Sequence, residues 1–567
     1  MRRLAAALGA ASVATLVLAT GTAFAGSGGS TGIAPLQPTV GTAAAFDKSP
    51  PLRDMQMIAP GGTAQPFSAP AKTDRSLVGR VANNKHQPDG ALQSGLSPNA
   101  MPAPLFTFEG PRNEDNFNLF GIRVNPPDPN GDVGQNHYIA SINLAFSIYT
   151  KTGTLLYGPA DIGSLWQGFE IPGCAAHSGD EVVIYDEISN RWILTQFTPS
   201  TGTLFWNCVA VSTTGDPLGS YYRYAFSTDD FFPDYPKYGI MGDGLYITTR
   251  EFGPTDTDYR IGVYAINRHQ LVEGDPNPTV VSFYLVDGVD PLYLLGDGIL
   301  PADQDGKRMP PPHSPEYFAG TQDDDYFYGA PSDALNWFEA DIDFAHPLNS
   351  TFGLTAQLAT APFDSNFPCA PDARDCLPQP GIINPAQYLD ILSYRQRPTF
   401  RLQYRNFKTY ESLVTNQSVE AAPGVAGVRW YEVRNPQDPV IYQQGTYAPG
   451  DGVHRWMGSV AQDKFGNLAA GYSVVNGTDV KPGIRYAGRL SSDPLGQLSQ
   501  GEAVLQDGTG VQTTTNSRWG DYTSMSVDPR DDCTFYYMNE YYQVDGTPAD
   551  TRPWQTRIGA FKFPGCR

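Results

Sequence analysis

The sequence is poor in charge, and the charge it has is mostly negative. Charged residues make up 17% of 567, with 38 Lys plus Arg against 59 Asp plus Glu, for a net charge of −21. Phosphate groups repel such a chain, so it is not expected to bind nucleic acid or anionic membranes. Aromatic residues reach 12%, too many for a disordered protein, while 58 Gly and 49 Pro favour turns over long helices. The composition therefore predicts an all-β protein.

Several motifs that carry common reactions are missing. The seven His residues show neither HxH nor HExxH spacing, and there is no GxSxG elbow or P-loop. No CxxC pair is present, which disfavours a cysteine zinc site. The sequence thus names no reaction by motif alone.

Only one long apolar run occurs, and it lies at the N-terminus. Met1–Arg3 is basic, residues 4–18 are apolar, and Ala23–Ala25 has the small-x-small pattern of a cleavage site. Residues 1–25 are therefore predicted to be a secretory signal peptide. The alternative is a membrane anchor, but the run is short and interrupted by small polar residues. We expect a secreted, periplasmic or cell-surface protein that inserts in no membrane after cleavage.

The six cysteines agree with export, since their number is even and all follow the signal segment. An oxidising compartment favours disulfides over thiol chemistry. Many connectivities are open. Order and proximity favour the pairs Cys174–Cys208, Cys369–Cys376 and Cys533–Cys566.

The chain divides by texture near residue 105. Residues 26–104 are rich in Gly, Ala, Ser, Thr and Pro, which predicts a disordered linker or pro-segment. From 105 to 567, short runs of aromatic and β-branched residues alternate with Gly, Asp, Asn and Pro, as in strands and hairpins.

One unit recurs within 105–567. It is a strand ending in Asp, a short turn and a second apolar strand, as in "VVIYDEISNRWILTQF", "SVAQDKFGNLAAGYS" and "SMSVDPRDDCTFYYMNEY". The turn residues Asp186, Asp463 and Asp528 can accept hydrogen bonds from turn amides. Repeated units of this kind predict a β-propeller of seven blades, each with four antiparallel strands. A strand near Phe106 or at Thr556–Phe563 would complete a shared blade. Two packed β-sandwich domains are the alternative.

The motifs "PPDPNGDVGQNHYI", "DYPKYGI", "GDGVHRWMGSVAQDKFGNLAAGYS" and "SRWGDYTSMSVDPRDDCTFYYMNEYY" resemble those of a family of exported bacterial β-propeller proteins. The resemblance implies a bacterial source and a propeller fold, and no activity. "AQDKFGNLAAGY" and "SVDPRDDCTFYY" are also similar to the Asp-box turns of sialidase-type propellers, which are corner pieces remote from an active site.

Polar motifs precede or open the first strand of several units: "HSGDEV", "FPDYPKYG", "NFKTYESLVTN", "HRWMGS" and "RWGDYTSM". In a propeller these positions would meet at one mouth of the central channel and form a ligand site. The candidate catalytic carboxylates are Asp180, Asp234, Glu411 and Asp521, and the candidate ligand-binding residues are Tyr235, His454, Arg455, Trp456, Arg518 and Trp519. Alternatively, the Trp residues pack between blades, and Arg and Asp pair to cap the channel.

A calcium site is a further hypothesis. In "DPNGDVG", Asp128, Asn130 and Asp132 place oxygen ligands at alternate positions, like the start of a calcium loop. Position 12 is the apolar Ile139, so the segment is not an EF-hand. An ordinary Asx-turn is the alternative.

These patterns predict an exported, monomeric β-propeller that binds an extracellular carbohydrate or polymer at the channel mouth. Aromatic faces combined with carboxylates and Arg suit sugars. One alternative is a glycoside hydrolase or lyase that uses Asp and Glu at the same mouth. The other is a scaffold for a protein partner.

Overall fold

The computed structural model describes residues 35–57, 87–93, 95, 97, 99–255, 257–365, 375–391 and 396–567. The predicted signal peptide and Cys369 lie outside these residues. The described part is an all-β fold with three short α-helices, α1 (Asn113–Phe120), α2 (Arg268–Glu273) and α3 (Leu292–Leu295). None of the described helices has the length and apolar character needed to span a bilayer.

Four strands precede the main sheets: β1 (Thr39–Gly41), β2 (Ala45–Lys48), β3 (Leu92–Gln93) and β4 (Phe106–Glu109). Sheet 1 consists of β5 (Asn130–Val133), β6 (His137–Ile142), β7 (Ala145–Thr150) and β8 (Leu155–Asp161). Sheet 2 consists of β9 (Val183–Asp186), β10 (Arg191–Phe197), β11 (Phe205–Ser212) and β12 (Tyr221–Asp229). Sheet 3 consists of β13 (Phe232–Met241), β14 (Gly244–Phe252), β15 (Tyr259–Asn267) and β16 (Val280–Val286). Sheet 4 consists of β17 (Leu300–Gln304), β18 (Glu316–Gln322), β19 (Ala334–Asp341) and β20 (Thr351–Ala359).

A small hairpin of β21 (Asp375–Leu377) and β22 (Leu389–Asp390) follows. Sheet 5 consists of β23 (Thr399–Asn406), β24 (Glu411–Ala422), β25 (Val425–Arg434) and β26 (Val440–Tyr447). Sheet 6 consists of β27 (His454–Gln462), β28 (Leu468–Val475), β29 (Lys481–Arg489) and β30 (Glu502–Gly508). Sheet 7 consists of β31 (Ser524–Val527), β32 (Phe535–Tyr542) and β33 (Trp554–Phe561), with β4 as its fourth strand. Within each of sheets 1 to 7 the strands named above are antiparallel neighbours in sequence order, apart from β4. Sheets 4 and 5 are continuous, because β17 pairs with β23, and together with β3 they form one nine-stranded sheet.

The predicted Asp turns are confirmed at the first hairpins of these sheets. Asp186 Oδ1 accepts hydrogen bonds from the amides of Ile188 and Ser189 at 3.0 and 2.9 Å. Asp463 Oδ1 accepts bonds from Phe465 and Asn467 at 2.8 and 3.1 Å. These bonds satisfy turn amides and hold the hairpin corner.

The expected strand near Phe106 is also confirmed, because β4 pairs with β33 and completes sheet 7. Two predicted disulfides are present. Cys174 and Cys208 have Cα atoms 5.8 Å apart, and Cys533 and Cys566 have Cα atoms 5.7 Å apart. Cys376 is disulfide-bonded as well.

Hydrophobic cores lie between successive sheets. Trp166 and Trp192 belong to a core shared by sheets 1 and 2, and Val209 and Tyr238 to one shared by sheets 2 and 3. A larger core joins sheets 3, 4 and 5, and further cores join sheets 5 with 6, 6 with 7, and 7 with 1. The first strands also contact one another, and β17 and β23 pair in parallel. The first strand of each sheet therefore lies next to the first strands of the neighbouring sheets.

The structure corrects the expectation of disorder for the described parts of residues 26–104. β1 pairs with β16, β2 pairs with β12, and β3 pairs in parallel with β26. The Arg223 guanidinium donates to both Asp47 oxygens at 2.7 and 2.5 Å. The prediction is wrong for these parts, because the edge strand of a sheet has unpaired N–H and C=O groups, and a short segment of low hydrophobicity can pair with them. Composition alone does not reveal such pairing.

Candidate functional site

Polar residues from several sheets come together where the first strands begin. Asp128 precedes β5, Asp180 precedes β9, and Asp521 precedes β31. Tyr235 and Lys237 lie near the middle of β13. We call the following residues the polar cluster: Asp128, Asp180, Tyr235, Lys237, Arg397, Arg518, Asp521 and Tyr522. All eight are buried.

Hydrogen bonds link the carboxylates of the polar cluster across sheets 1, 2 and 7. Asp128 Oδ1 accepts a bond from the Asp521 amide at 2.8 Å, and its Oδ2 accepts one from Asn143 Nδ2 at 2.7 Å. Asn143 Oδ1 in turn accepts from the Asp180 amide at 2.9 Å. The Tyr522 hydroxyl donates to Asp180 Oδ2 at 2.6 Å. The three carboxyl groups are therefore held in fixed positions close together.

Two guanidinium groups donate to Asp521. Arg397 Nη2 lies 3.1 Å from Asp521 Oδ1, and Arg518 Nη2 lies 3.1 Å from Oδ2. Arg397 precedes sheet 5, so this contact adds a fourth sheet to the hydrogen bonds that link sheets 1, 2 and 7. Arg–carboxylate bonds of this kind are strong and directional.

Aromatic rings and cations stack beside these carboxylates. The rings of Tyr235 and Tyr522 have centroids 5.2 Å apart. Lys237 Nζ lies 3.1 Å from the Tyr235 centroid and 3.7 Å from that of Tyr522. The Arg397 guanidinium carbon lies 3.8 Å from the Tyr235 centroid. The negative faces of the rings attract both cations.

Burial shifts the titration of the polar cluster. Burial, with the Asp521 and Asp180 carboxylates, raises the pKa of Asp128 to about 7, against the lowering effect of Arg518. Burial and the Arg397 guanidinium lower the pKa of Lys237 well below its usual range. An acid that stays protonated near neutrality and an amine that loses its proton easily are typical of functional sites.

Backbone strain is concentrated at the same place. Asp128, Asp180 and Tyr235 have φ angles of 43°, 55° and 54°. Positive φ is uncommon for residues other than Gly, and for a bulky residue such as Tyr it is a genuine outlier. Strain of this kind costs on the order of 1–3 kcal/mol per residue and persists where the surroundings impose it, often at functional sites.

Asp234 lies at the edge of the polar cluster. It is the cross-strand partner of Arg250 in the β13–β14 pair and contributes to raising the pKa of that guanidinium. Arg250 Nη2 also lies 2.9 Å from Asp297 Oδ1, which accepts a bond from the Tyr328 hydroxyl at 3.0 Å. Asp234 is therefore part of an adjoining ion-pair network.

Glu411 lies elsewhere. It opens β24, the second strand of sheet 5, and its Oε1 accepts a bond from the Tyr404 hydroxyl at 2.6 Å. The expectation that Glu411 joins the other carboxylates is wrong, because "NFKTYE" forms the turn after the first strand rather than the segment before it. Arg397, in "RQRPTF", occupies the position expected for Glu411.

Four ligand-binding candidates also lie outside the polar cluster. Arg455 pairs with Asp451 and Glu502, each at 2.7 Å. His454 Nδ1 accepts a bond from the Ala426 amide at 3.3 Å, and burial lowers the pKa of His454 to about 4. The rings of Trp456 and Trp519 pack 5.2 Å apart in the core between sheets 7 and 1. Trp456 and Trp519 are therefore core residues, as in the alternative given in the sequence analysis, in which the Trp residues pack in the protein interior.

The expected calcium segment forms a strand instead of a loop. Asn130 Oδ1 accepts from the Val183 amide at 2.8 Å, and Asp132 Oδ2 accepts from the Tyr185 amide at 2.8 Å. Asp132 lies within β5, whereas Asp128 precedes that strand and has a φ of 43°. Arg401, Asp303 and Asp305 affect the pKa of Asp132, whereas Asp521 and Asp180 affect that of Asp128. The three residues therefore do not form one ligand set.

Sequence reasoning missed Asn143, Lys237, Arg397 and Tyr522. Lys237 and Tyr522 lie within "FPDYPKYG" and "RWGDYTSM". In these motifs the sequence indicated other residues as candidates: Asp234, Tyr235, Arg518, Trp519 and Asp521. Asn143 follows the second strand of sheet 1 and carried no signal.

Comparisons with known proteins give likeness in structure only. No family model matches the sequence, and neither does any curated protein. An α-L-arabinofuranosidase of Fusarium graminearum is similar with a TM-score of 0.35 and 11% identity, covering 68% of this chain and 94% of its own. A hypothetical selenium-binding protein of Sulfolobus tokodaii has a TM-score of 0.35 and 9% identity, covering 66% and 77%. The polysaccharide lyase Uly1 has a TM-score of 0.34 and 8% identity, covering 83% and 99%.

Several of the similar structures are glycoside hydrolases, including a β-1,3-galactosidase and an endo-arabinanase of Bacillus licheniformis. Their identities to this chain are 10% and 12%. Their TM-scores are 0.28 and 0.25, and those of the three structures above are 0.35 or less. Likeness at this level carries no argument about substrate.

Proposed function

We propose that the seven sheets are the blades of one closed, seven-bladed β-propeller. Each sheet shares a hydrophobic core with the next, and sheet 7 shares one with sheet 1. Side chains also bond neighbouring first strands. Asn130 Nδ2 donates to the Tyr522 carbonyl at 3.1 Å, and Ser459 Oγ accepts from the Met525 amide at 3.0 Å. The β4–β33 pair supports closure, because it joins an early strand to the last sheet.

We infer that the polar cluster is the binding site for an extracellular carbohydrate. The observation that supports this most directly is the Tyr235 hydroxyl, which is buried and has no hydrogen-bond partner among the residues described. A buried hydroxyl of this kind can bond a water molecule or a ligand. Sugar hydroxyls both donate and accept, and sugar rings stack on aromatic faces. The Tyr235 and Tyr522 rings, with Arg and Asp beside them, match these needs.

A panel of polysaccharides and oligosaccharides tests this function with the purified full chain. Retention of a glycan with a measurable Kd supports binding, and Tyr235→Phe is expected to weaken it by about five- to tenfold through loss of one hydrogen bond. Asp545→Asn is the matched control, because Asp545 is exposed and pairs only with Lys481 among the described residues. No retention across the panel would contradict the proposal and favour a protein partner.

Hydrolysis or elimination at the same site is the second candidate function. Asp128, with its pKa of about 7, can remain protonated near neutrality while two guanidinium groups hold Asp521. Pairs of carboxyl groups whose environments separate their pKa values serve as acid and base in glycoside hydrolases. Asp128 would then be the proton donor, and Asp521 or Asp180 the partner carboxylate.

Release of reducing ends from the same panel distinguishes an enzyme from a binding protein. If the site is catalytic, Asp128→Asn is expected to lower kcat by about 10²–10⁴ while leaving glycan retention in place. Unchanged retention without release would leave only the binding function.

We also propose that the protein is exported, as the disulfides among its described residues support. Calcium stays a prediction without the segment first assigned to it. Adding EDTA to the panel tests whether binding depends on a divalent cation.

A further inference from the structure

Lys237 is the cation of the polar cluster that lacks an acidic partner. Arg397 and Arg518 pair with Asp521, and the neighbouring Arg250 pairs with Asp297. Among the described residues, Lys237 forms no ion pair within 4.0 Å. Its ammonium donates a hydrogen bond to the carbonyl of the adjacent Pro236 at 3.2 Å.

Aromatic rings and charged groups surround Lys237. Tyr235 and Tyr522 place their ring faces against the ammonium, at 3.1 and 3.7 Å. Arg397 repels its charge, whereas Asp180, Asp521 and Asp128 attract it from further away. Lys237 itself is 2% exposed.

Among the described residues, no carboxylate lies within ion-pair distance of this buried amine. Taking an ammonium out of water is unfavourable unless a partner compensates its charge. Here the aromatic faces compensate in part, and Arg397 acts in the opposite direction. A ligand that carries a single negative charge would complete the arrangement.

We propose that the polar cluster selects an acidic sugar, whose carboxylate pairs with Lys237. This specificity rests on the proposed carbohydrate binding. A carboxylate fits better than a more highly charged anion, because one cation lacks a partner and three aspartates lie nearby. The remaining hydroxyls of the sugar then face Tyr235 and the two guanidinium groups.

Binding of the acidic sugar takes up a proton. Burial and Arg397 lower the pKa of Lys237, and a ligand carboxylate beside the amine raises it again, so the amine takes up part of a proton from solvent. No other bond forms or breaks. A neutral sugar at the same place provides no reason for this uptake.

The test uses oligomers of galacturonate and the same oligomers after chemical reduction of their carboxyl groups. Calorimetry with the full chain at pH 7, in two buffers of different ionisation enthalpy, measures affinity and proton uptake together. We expect the acidic oligomers to bind at least about tenfold more tightly than the reduced ones, as one charge-assisted bond provides. Uptake of a fraction of a proton, up to one, should accompany the acidic ligand only.

Variants assign the effect to the side chain. Lys237→Met should remove the preference for the acidic oligomers, and Lys237→Arg should keep the preference but lose the proton uptake. Lys562→Met is the matched control, since Lys562 is partly exposed and lies 3.7 Å from Asp531. If the Lys237 variants do not fold, proton uptake by the unmodified chain decides.

Each outcome separates the two proposals. Equal affinity for acidic and reduced oligomers overturns the acidic specificity and leaves carbohydrate binding in place. Preference for the acidic form without proton uptake overturns the role of Lys237. Binding of neither form, with no retention on the wider panel, overturns both.

Discussion

Replacing Asp89 by Ala should lower the free energy of unfolding strongly, although Asp89 lies in a region rich in Gly and Pro. The side chains of Asp89 and Arg429 are both 0% exposed and lie 2.9 Å apart. Asp89 also accepts hydrogen bonds from Thr446 Oγ1 at 2.7 Å and from the Ala91 amide at 2.8 Å. Asp89→Ala thus leaves a buried guanidinium without its counter-ion, which costs about 3–5 kcal/mol.

Urea denaturation of Asp89→Ala, Arg429→Met and the double variant measures this cost. The Arg429 guanidinium keeps its bonds to the Ala361 and Pro362 carbonyls at 3.1 and 3.0 Å, so part of its packing survives in Asp89→Ala. We expect a coupling free energy of about 2 kcal/mol or more from the double-mutant cycle. A loss below about 0.5 kcal/mol for Asp89→Ala, the range of ordinary surface substitutions, would refute the reasoning. Residues 87–93 would then not be part of the folded sheets.

Three further predictions concern stability and the site. Burial raises the pKa of both Asp128 and Asp132 to about 7, so the folded state holds protons that the unfolded state loses above its ordinary pKa near 3.8. The free energy of unfolding should therefore be highest near pH 4 and fall as the pH rises to about 7, as urea denaturation across this range would show; a rise would contradict the pKa shifts. Trp519→Phe should lower stability by about 1–3 kcal/mol in thermal denaturation and leave glycan affinity unchanged, because Trp519 packs in the core; a selective loss of affinity would return Trp519 to the site. Replacing Cys174 and Cys208 by Ala opens a loop with a sequence separation of 34 and should cost roughly 3–4 kcal/mol in urea denaturation. Unchanged stability would show that the bond does not restrain the unfolded chain.

Local features were readable from the sequence, because neighbouring residues determine them. The Asp186 and Asp463 turns follow from side chains that reach amides two to four residues away. The Cys174–Cys208 pair follows from order and proximity along the chain. Strand alternation and turn residues therefore predicted the hairpins of sheets 2, 6 and 7.

Long-range features were not readable in the same way. Strand β2 pairs with β12, which is more than 170 residues later, and nothing in "AFDK" specifies that partner. Likewise Arg397 reaches Asp521 across 124 residues, and no local pattern distinguishes it from other Arg residues. Glu411 was misplaced because a polar motif before a second strand looks the same as one before a first strand.

Some residues of the polar cluster were predicted, because the sequence analysis expected polar residues near the start of first strands to meet. Asp180, Tyr235, Arg518 and Asp521 do come together. Arg455 pairs with Asp451 and Glu502 instead, and His454 accepts a bond from the Ala426 amide. Both strands shift register near these residues, β13 between Asp234 and Lys237 and β27 between Trp456 and Ser459. The sequence pattern therefore does not distinguish the strand that contributes to the polar cluster from the one that does not.

The pairing of β4 with β33 imposes an order on biosynthesis. Glu109 and Arg557 of these strands interact across 448 residues, so β4 cannot pair with β33 until the ribosome has made nearly the whole chain. Contacts over such distances form slowly because a long loop must close first. A nascent chain in this condition stays open while it emerges. If the protein is exported through a narrow translocation pore, the delay keeps it threadable, and assembly of the last sheet then takes place on the far side of the membrane.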